Sequence, residues 1–365
     1  MNARSPVPGA PGVAGPVSRL APRGLIGMLA AVTATGPLAM QIFLPALPAV
    51  QAEFGVSAGI VQLTLSLSMV AIALSTLAYG PLSDRHGRRP VLLAGLVLFL
   101  AGTGVCALAP DVVTLIVGRI IQAAGGAAGM VLARAVVRDV YGQDRAAGVI
   151  AQLTMVMVVA PMVAPAIGGL LTDLFVWRAV FAFAALAGIL IAFWVALSLP
   201  ESHVERGRVE GPADMLRGFA LLLGSVRFCG YVGHTAFSSV IFFSFISGAP
   251  YLMVNTLGRP ATEYGLWFVL VSAGFMAGNF LAIRLSGRFP QIGLMLAGSL
   301  AGVLGILVAM GVVLMDRLSA GDPVHSGGAG PPWATGSPCR MPRPARSMSF
   351  PIGPGRLRDS AASPR

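Results

Sequence analysis

Nine stretches of about 20 residues, each uncharged or nearly so, follow one another along the chain and dictate what it can fold into. They are Leu25–Leu44, Ile60–Tyr79, Val91–Ala109, Val112–Val137, Ala146–Leu171, Ala179–Leu199, Phe228–Val254, Tyr264–Ile283 and Ile292–Met315. A helix rises about 1.5 Å per residue, so roughly 20 residues cross the roughly 30 Å of bilayer hydrocarbon. Lipid offers the backbone no hydrogen-bond partner, and a helix satisfies its own amides and carbonyls. The sequence predicts an all-α polytopic membrane protein with nine spans. Gly and Ala within the runs allow helices to approach closely.

Charge supports this reading. Only 11% of the 365 residues are charged, against about 25% in a soluble domain. All 25 basic residues are Arg, and the net charge is +11. They sit in short loops and near the termini and form no stripe on one face, which argues against nucleic acid as a partner. Alternate loops carry Arg85, Arg88 and Arg89; then Arg138 and Arg145; then Arg206, Arg208, Arg217 and Arg227; then Arg284 and Arg288. The opposite loops hold Arg178 and Arg259 beside Glu53, Asp111, Asp173 and Glu263. Basic residues concentrate on the cytoplasmic side, so the first set and the N-terminus are expected there.

Five regions follow. Residues 1–23 read as a flexible cytoplasmic lead. A signal peptide is the competing reading, but Leu25–Leu44 is longer than the apolar core of about 7–15 residues such a peptide carries. Residues 24–200 form a six-span N-terminal half, 201–227 a polar cytoplasmic loop, and 228–315 a second part of three spans. Residues 316–365 are dense in Pro, Gly, Ser and Arg and read as disordered. A frameshift after Met315 in GC-rich coding sequence would yield such a tail. The three cysteines, Cys106, Cys229 and Cys339, have neither metal-ligand nor CxxC spacing. No Ser/His/Asp, Cys/His or paired-carboxylate set falls at membrane depth, so an enzyme is not expected.

The segment Gly80-Pro81-Leu82-Ser83-Asp84-Arg85-His86-Gly87-Arg88-Arg89-Pro90 resembles the loop between the second and third helices of the major facilitator superfamily. Gly80 and Gly87 permit tight turns, Asp84 offers a carboxylate to an Arg or a helix N-terminus, and the Arg cluster suits an anionic membrane surface. Arg119-Ile120-Ile121-Gln122-Ala123 resembles the family's Arg-x-x-Gln-Gly element, with Ala for the last Gly. Arg119 and Gln122 share a helix face. An Arg there either lines a cavity or bonds backbone carbonyls. Ala151, Ala160, Ala164-Pro165 and Gly168-Gly169 match the spacing of the antiporter element, with Ala at its first three Gly positions; small-residue packing is the alternative. Arg134 to Asp139 within Ala133-Arg134-Ala135-Val136-Val137-Arg138-Asp139, and Gln41-Ile42-Phe43-Leu44-Pro45-Ala46-Leu47-Pro48, resemble signatures of the Bcr/CflA-type drug-resistance transporters. In that subfamily Asp often stands at the place of Gln41 and Tyr at that of Phe43.

The resemblance implies a major-facilitator-type helical bundle, a six-span half plus an incomplete second half. It implies a monomer in the cell inner membrane that needs no cofactor and exports small amphipathic molecules. Substrate contact is expected from Gln41, Phe43, Arg119 and Gln122, with Met40, Phe237 and Phe243 as apolar company. A cytoplasmic gate is expected from Gly80, Asp84, Arg85, Gly87, Arg88, Arg89, Arg138 and Asp139, with Asp84 meeting Arg138. Pro165, Gly168 and Gly169 mark the antiporter helix. Protons are the implied coupling ion, although no Asp or Glu lies inside a predicted span and Gln41 cannot titrate. The competing reading is a fragment that inserts but does not transport.

Overall fold

The computed structural model describes residues 22–202, 221–285 and 288–319. The expected N-terminal lead, most of the 201–227 loop and nearly all of the 316–365 tail lie outside the described residues. Ten helices carry the fold among the described residues: α1 (Pro22–Ile42), α2 (Leu47–Phe54), α3 (Ala58–His86), α4 (Arg88–Ala107), α5 (Val112–Gly142), α6 (Arg145–Leu174), α7 (Arg178–Ser198), α8 (Val226–Tyr251), α9 (Ala261–Leu285) and α10 (Gln291–Ser319). Seven segments among the described residues are long and apolar enough to cross a membrane, the first of them running through α1 and α2 and the last from Val226 to Thr256. α10 adds a shorter apolar stretch, Ile292–Val308. Large apolar side chains such as Leu74, Val97, Leu190 and Leu270 are exposed, as a hydrocarbon solvent allows.

Local sequence sets the breaks. The first run, read as one span, ends in a break from α-helix to a 3-10 turn. Phe43 is followed by a short 3-10 turn at Leu44–Ala46 containing Pro45, and Pro48 lies in the first turn of α2. Proline supplies no amide to a continuing helix but suits a first turn. Gly55 closes α2 in the left-handed region, at φ 62°. Asp111 caps α5 by accepting from the Thr114 amide at 2.8 Å, and this bond, aided by the Thr114 hydroxyl, holds its carboxyl below the usual aspartate range. α5 and α6 run on through a kink at Gly142, with φ 67°. α10 continues to Ser319, beyond the Asp316 at which the sequence reading begins the tail; the next Gly is Gly321.

Packing gathers the described residues up to Ala282 into one compact unit and those from Ile283 onward into a second. In the first, α4 and α5 cross with backbones nearly touching. A Cβ on Gly102 would lie 2.2 Å from the Gln122 nitrogen, and one on Gly125 would lie 2.2 Å from that of Phe99. One apolar core joins Met28, Leu29 and Val32 of α1 to Leu92, Leu132 and Val136. A second joins Ile42, Phe43 and Leu47 to Trp177, Phe181, Tyr264 and Phe268. In the second unit α10 is the main described element.

Candidate functional site

A buried polar chain ties the end of α1 to α4 and α5. Arg119 is 2% exposed and donates from Nη1 to the Ala39 carbonyl at 3.1 Å and to Gln122 Oε1 at 2.6 Å. Gln122 Nε2 donates to Thr103 Oγ1 at 2.9 Å, and that hydroxyl donates to the Phe99 carbonyl at 2.6 Å. The guanidinium lies 4.8 Å from the Phe43 ring centre, within cation–π reach. No carboxylate neutralises it among these partners. The charge is spread over a carbonyl, an amide oxygen and an aromatic face, while Nε has no partner. Both sequence readings of Arg119 have a counterpart here: it bonds a backbone carbonyl, and with Gln122 it borders a water-sized space beside Ser68.

Gln41 occupies a different position. Its residue is 7% exposed, and its Oε1 is buried without a hydrogen-bond partner. It borders two cavities. One, about 230 Å³, lies among α1, α3 and α8 and is lined by Met40, Gln62, Ser66 and Phe243. The other, about 300 Å³, lies among α1, α5, α6, α8 and α9. Phe43 is fully buried against Phe181 at 5.3 Å and lines neither; Phe237 is 76% exposed.

At the opposite ends of α3 and α5, the motif charges meet. Arg88 pairs with Asp84, with Asp139 at 3.1 Å, and donates to Ser83 Oγ. The contact expected between Asp84 and Arg138 is not made. Arg88 begins the helix next to Asp84 and reaches both carboxylates, while Arg138 and Arg85 are exposed. Gly80 also differs from expectation. It sits within α3, and the turn belongs to Gly87 alone, at φ 98°. A helix-end carboxylate outside the expected gate set completes this cluster. Glu201 Oε1 accepts from the Arg88 amide at 2.8 Å and Oε2 from the Arg89 amide at 3.3 Å, so it caps α4 from beyond the end of α7. A Cβ on Gly87 would lie 2.6 Å from Glu201 Oε2. Arg89 donates to the Ala196 carbonyl at 2.7 Å.

The other end of the bundle joins α6 to α9. A Cβ on Gly169 would lie 2.5 Å from the Ala261 carbonyl oxygen, and one on Gly265 would lie 2.5 Å from Ala166 Cα. Gly168 packs as tightly on the Ile42 carbonyl, and Pro165 presents its carbonyl to Gly265. Asp173, read from sequence only as a loop charge, caps α9. Its oxygens accept from the Ala261 amide at 3.2 Å, the Thr262 amide at 2.7 Å and the Thr262 hydroxyl at 2.6 Å. Nearby, Glu53 accepts from Arg178 and from the Trp177 ring, and Arg178 also donates to the Ala109 carbonyl at 3.0 Å. No spacing signal points to Asp173 or Glu201, because the amides they cap lie 88 and 113 residues away.

Comparison with known proteins gives a consistent result. The profile of the Major Facilitator Superfamily matches residues 29–321. An uncharacterized MFS-type transporter of Bacillus subtilis, YdgK, is 30% identical over 81% of this chain and 74% of its own. A bicyclomycin resistance protein homolog of Haemophilus influenzae is 29% identical over 68% of this chain and 63% of its own. The chain therefore spans about two thirds to three quarters of the length of these relatives. Among solved structures, a bacterial homologue of the human lysosomal transporter Spinster, inward-facing and unoccupied, matches with a TM-score of 0.61 at 19% identity. That match covers 76% of this chain and 65% of the other and shows the shared fold.

Proposed function

Because the chain belongs to the Major Facilitator Superfamily, a family of membrane transporters rather than enzymes, we propose that it exports small amphipathic molecules by alternating access. The observation that carries this is the pair of cavities meeting at Gln41, whose amide oxygen has no partner in the protein. Both cavities lie between the first helices and α8 or α9, where two halves of such a bundle bind substrate near mid-membrane. Gln41 touches the substrate directly. Arg119, Gln122 and Phe43 form the wall behind it, since Arg119 anchors the α1 carbonyl two residues before Gln41. The drug-resistance relative supports a drug-like cargo.

In this reading the end bearing Arg85, Arg88 and Arg89 faces the cytoplasm with the N-terminus, as the basic loops favour, in a cell inner membrane, and the chain acts as a monomer. The Asp84–Arg88–Asp139 network and Glu201 hold α3, α4, α5 and the end of α7 as one body. The contacts of α6 with α9 close the exterior side. Proton-driven antiport is the coupling we propose. Every Asp and Glu among the described residues lies near a helix end or in a loop, so a carboxylate that carries the proton sits there rather than at mid-membrane.

The test is drug accumulation in bacteria stripped of their own pumps. Expression should lower steady-state accumulation of at least one amphipathic drug, and Gln41→Ala should weaken that effect. Equal accumulation with and without the protein, across a panel of such drugs, overturns the export reading.

A further inference from the structure

The larger cavity has a chemical polarity that narrows its cargo. Its walls include Phe242, Phe268 and Phe275, with the Phe242 and Phe275 rings stacked at 6.4 Å. Such walls take an apolar or aromatic body. Among the described residues lining it, Arg134 is the one charge, and no carboxylate accompanies it. Arg134 stands eight residues before the Gly142 end of α5, about 12 Å into the helix at 1.5 Å per residue. It is accessible rather than buried, and its Nη2 meets the Met157 sulfur at 3.7 Å, a weak acceptor. It also lies three residues inside the Val137 end of the predicted span, and an Arg within a span faces a cavity or pathway by default. Arg119 differs in having its guanidinium bonded within the protein. Elsewhere along the same cavity lie Ser272 and the unpartnered oxygen of Gln41.

We propose that this cavity binds an amphipathic organic anion, its acidic group on Arg134, its apolar body among the three phenylalanines and a hydrogen-bond donor on Gln41. This rests on the transporter reading and narrows it by substrate class. A carboxylate or sulfonate accepts two charge-assisted bonds from a guanidinium. An organic cation would meet like charge and no acidic partner, and the cavity selects against it.

The probes are 6-hydroxy-2-naphthoate, its neutral amide and the matched 6-hydroxynaphthyl methylamine, with binding read by equilibrium dialysis on the purified full chain. The acid should bind at least tenfold tighter than the amide, a difference of about 1.4 kcal/mol, with the amine weakest. Arg134→Gln should bring the acid-to-amide ratio near one, and Arg134→Lys should restore most of it. Ser272→Trp, which fills the cavity, should abolish binding of all three. The inference is overturned if the amine matches the acid, if Arg134→Gln leaves the ratio intact, if Ser272→Trp leaves binding intact, or if none of the three binds. Flux of the same probes in proteoliposomes separates the two readings. Arg134-dependent binding without any flux removes the transporter reading and keeps the anion site. Flux without preference for the acid does the reverse.

Discussion

In the proposed reading the α6–α9 contact closes the exterior side, and the Asp173 cap on α9 is a polar element of that contact directly open to perturbation. Asp173→Ala removes acceptors for the Ala261 and Thr262 amides and for the Thr262 hydroxyl. Loss of an N-cap acceptor costs about 1 kcal/mol. The side-chain bond adds about 0.5 kcal/mol, the low end of the usual range because Asp173 is exposed. The loss of about 1.5 kcal/mol falls on the exterior-closed state alone, if α6 and α9 separate when the exterior opens. The closed-to-open ratio then drops roughly tenfold. The assay is labelling of a single reporter, Ser247→Cys in the 230 Å³ cavity, by a membrane-impermeant maleimide added outside, with the native cysteines replaced. Labelling should speed up roughly tenfold in Asp173→Ala and less in Asp173→Asn, which keeps one acceptor oxygen. An unchanged rate in Asp173→Ala, with the protein folded, would refute the claim that this contact holds the exterior shut.

Three further outcomes are expected. Thr103→Val strips Gln122 Nε2 of its partner and should cost about 1–3 kcal/mol in detergent unfolding, the penalty of a buried donor left unpaired; Thr103→Val/Gln122→Leu should cost less than the two single changes combined. Glu201→Ala leaves the Arg88 and Arg89 amides uncapped and should lower stability by about 1 kcal/mol, with faster hydrogen exchange at those two amides. At Asp111 the folded carboxyl titrates below the ordinary aspartate value of about 3.9. Its contribution is therefore complete above that pH and lost as pH falls through the depressed value. Exchange at the Thr114 amide, followed against pH, should report this loss, and Asp111→Ala should remove the dependence.

The helices were legible because hydrocarbon leaves the backbone one solution, and uncharged runs of the right length announce it. The first run shows the limit. Hydropathy does not see the 3-10 turn at Leu44–Ala46, where Pro45 interrupts the α-helix and Pro48 lies in the first turn of the next, although both stand in the motif read from sequence. Gly87 was legible because its turn is local. Gly80, in the same motif, is an ordinary helical residue with nothing near its missing Cβ. The Arg119–Gln122 bond was legible from a spacing of three, but Thr103, which completes it, comes from another helix. Arg134 was visible as part of a family signature. Its place on a cavity wall required the approach of α6, α8 and α9, which no local pattern encodes.

Transport by the purified chain through the space beside Gln41 is the most direct measurement of all. In proteoliposomes loaded with an amphipathic drug, entry of the same labelled drug by counterflow should exceed that of empty liposomes, and Ser272→Trp, folded and inserted, should abolish the excess. Counterflow that persists undiminished in Ser272→Trp, or is absent from the unaltered protein across a drug panel, would contradict the assignment of this cavity as the transport path.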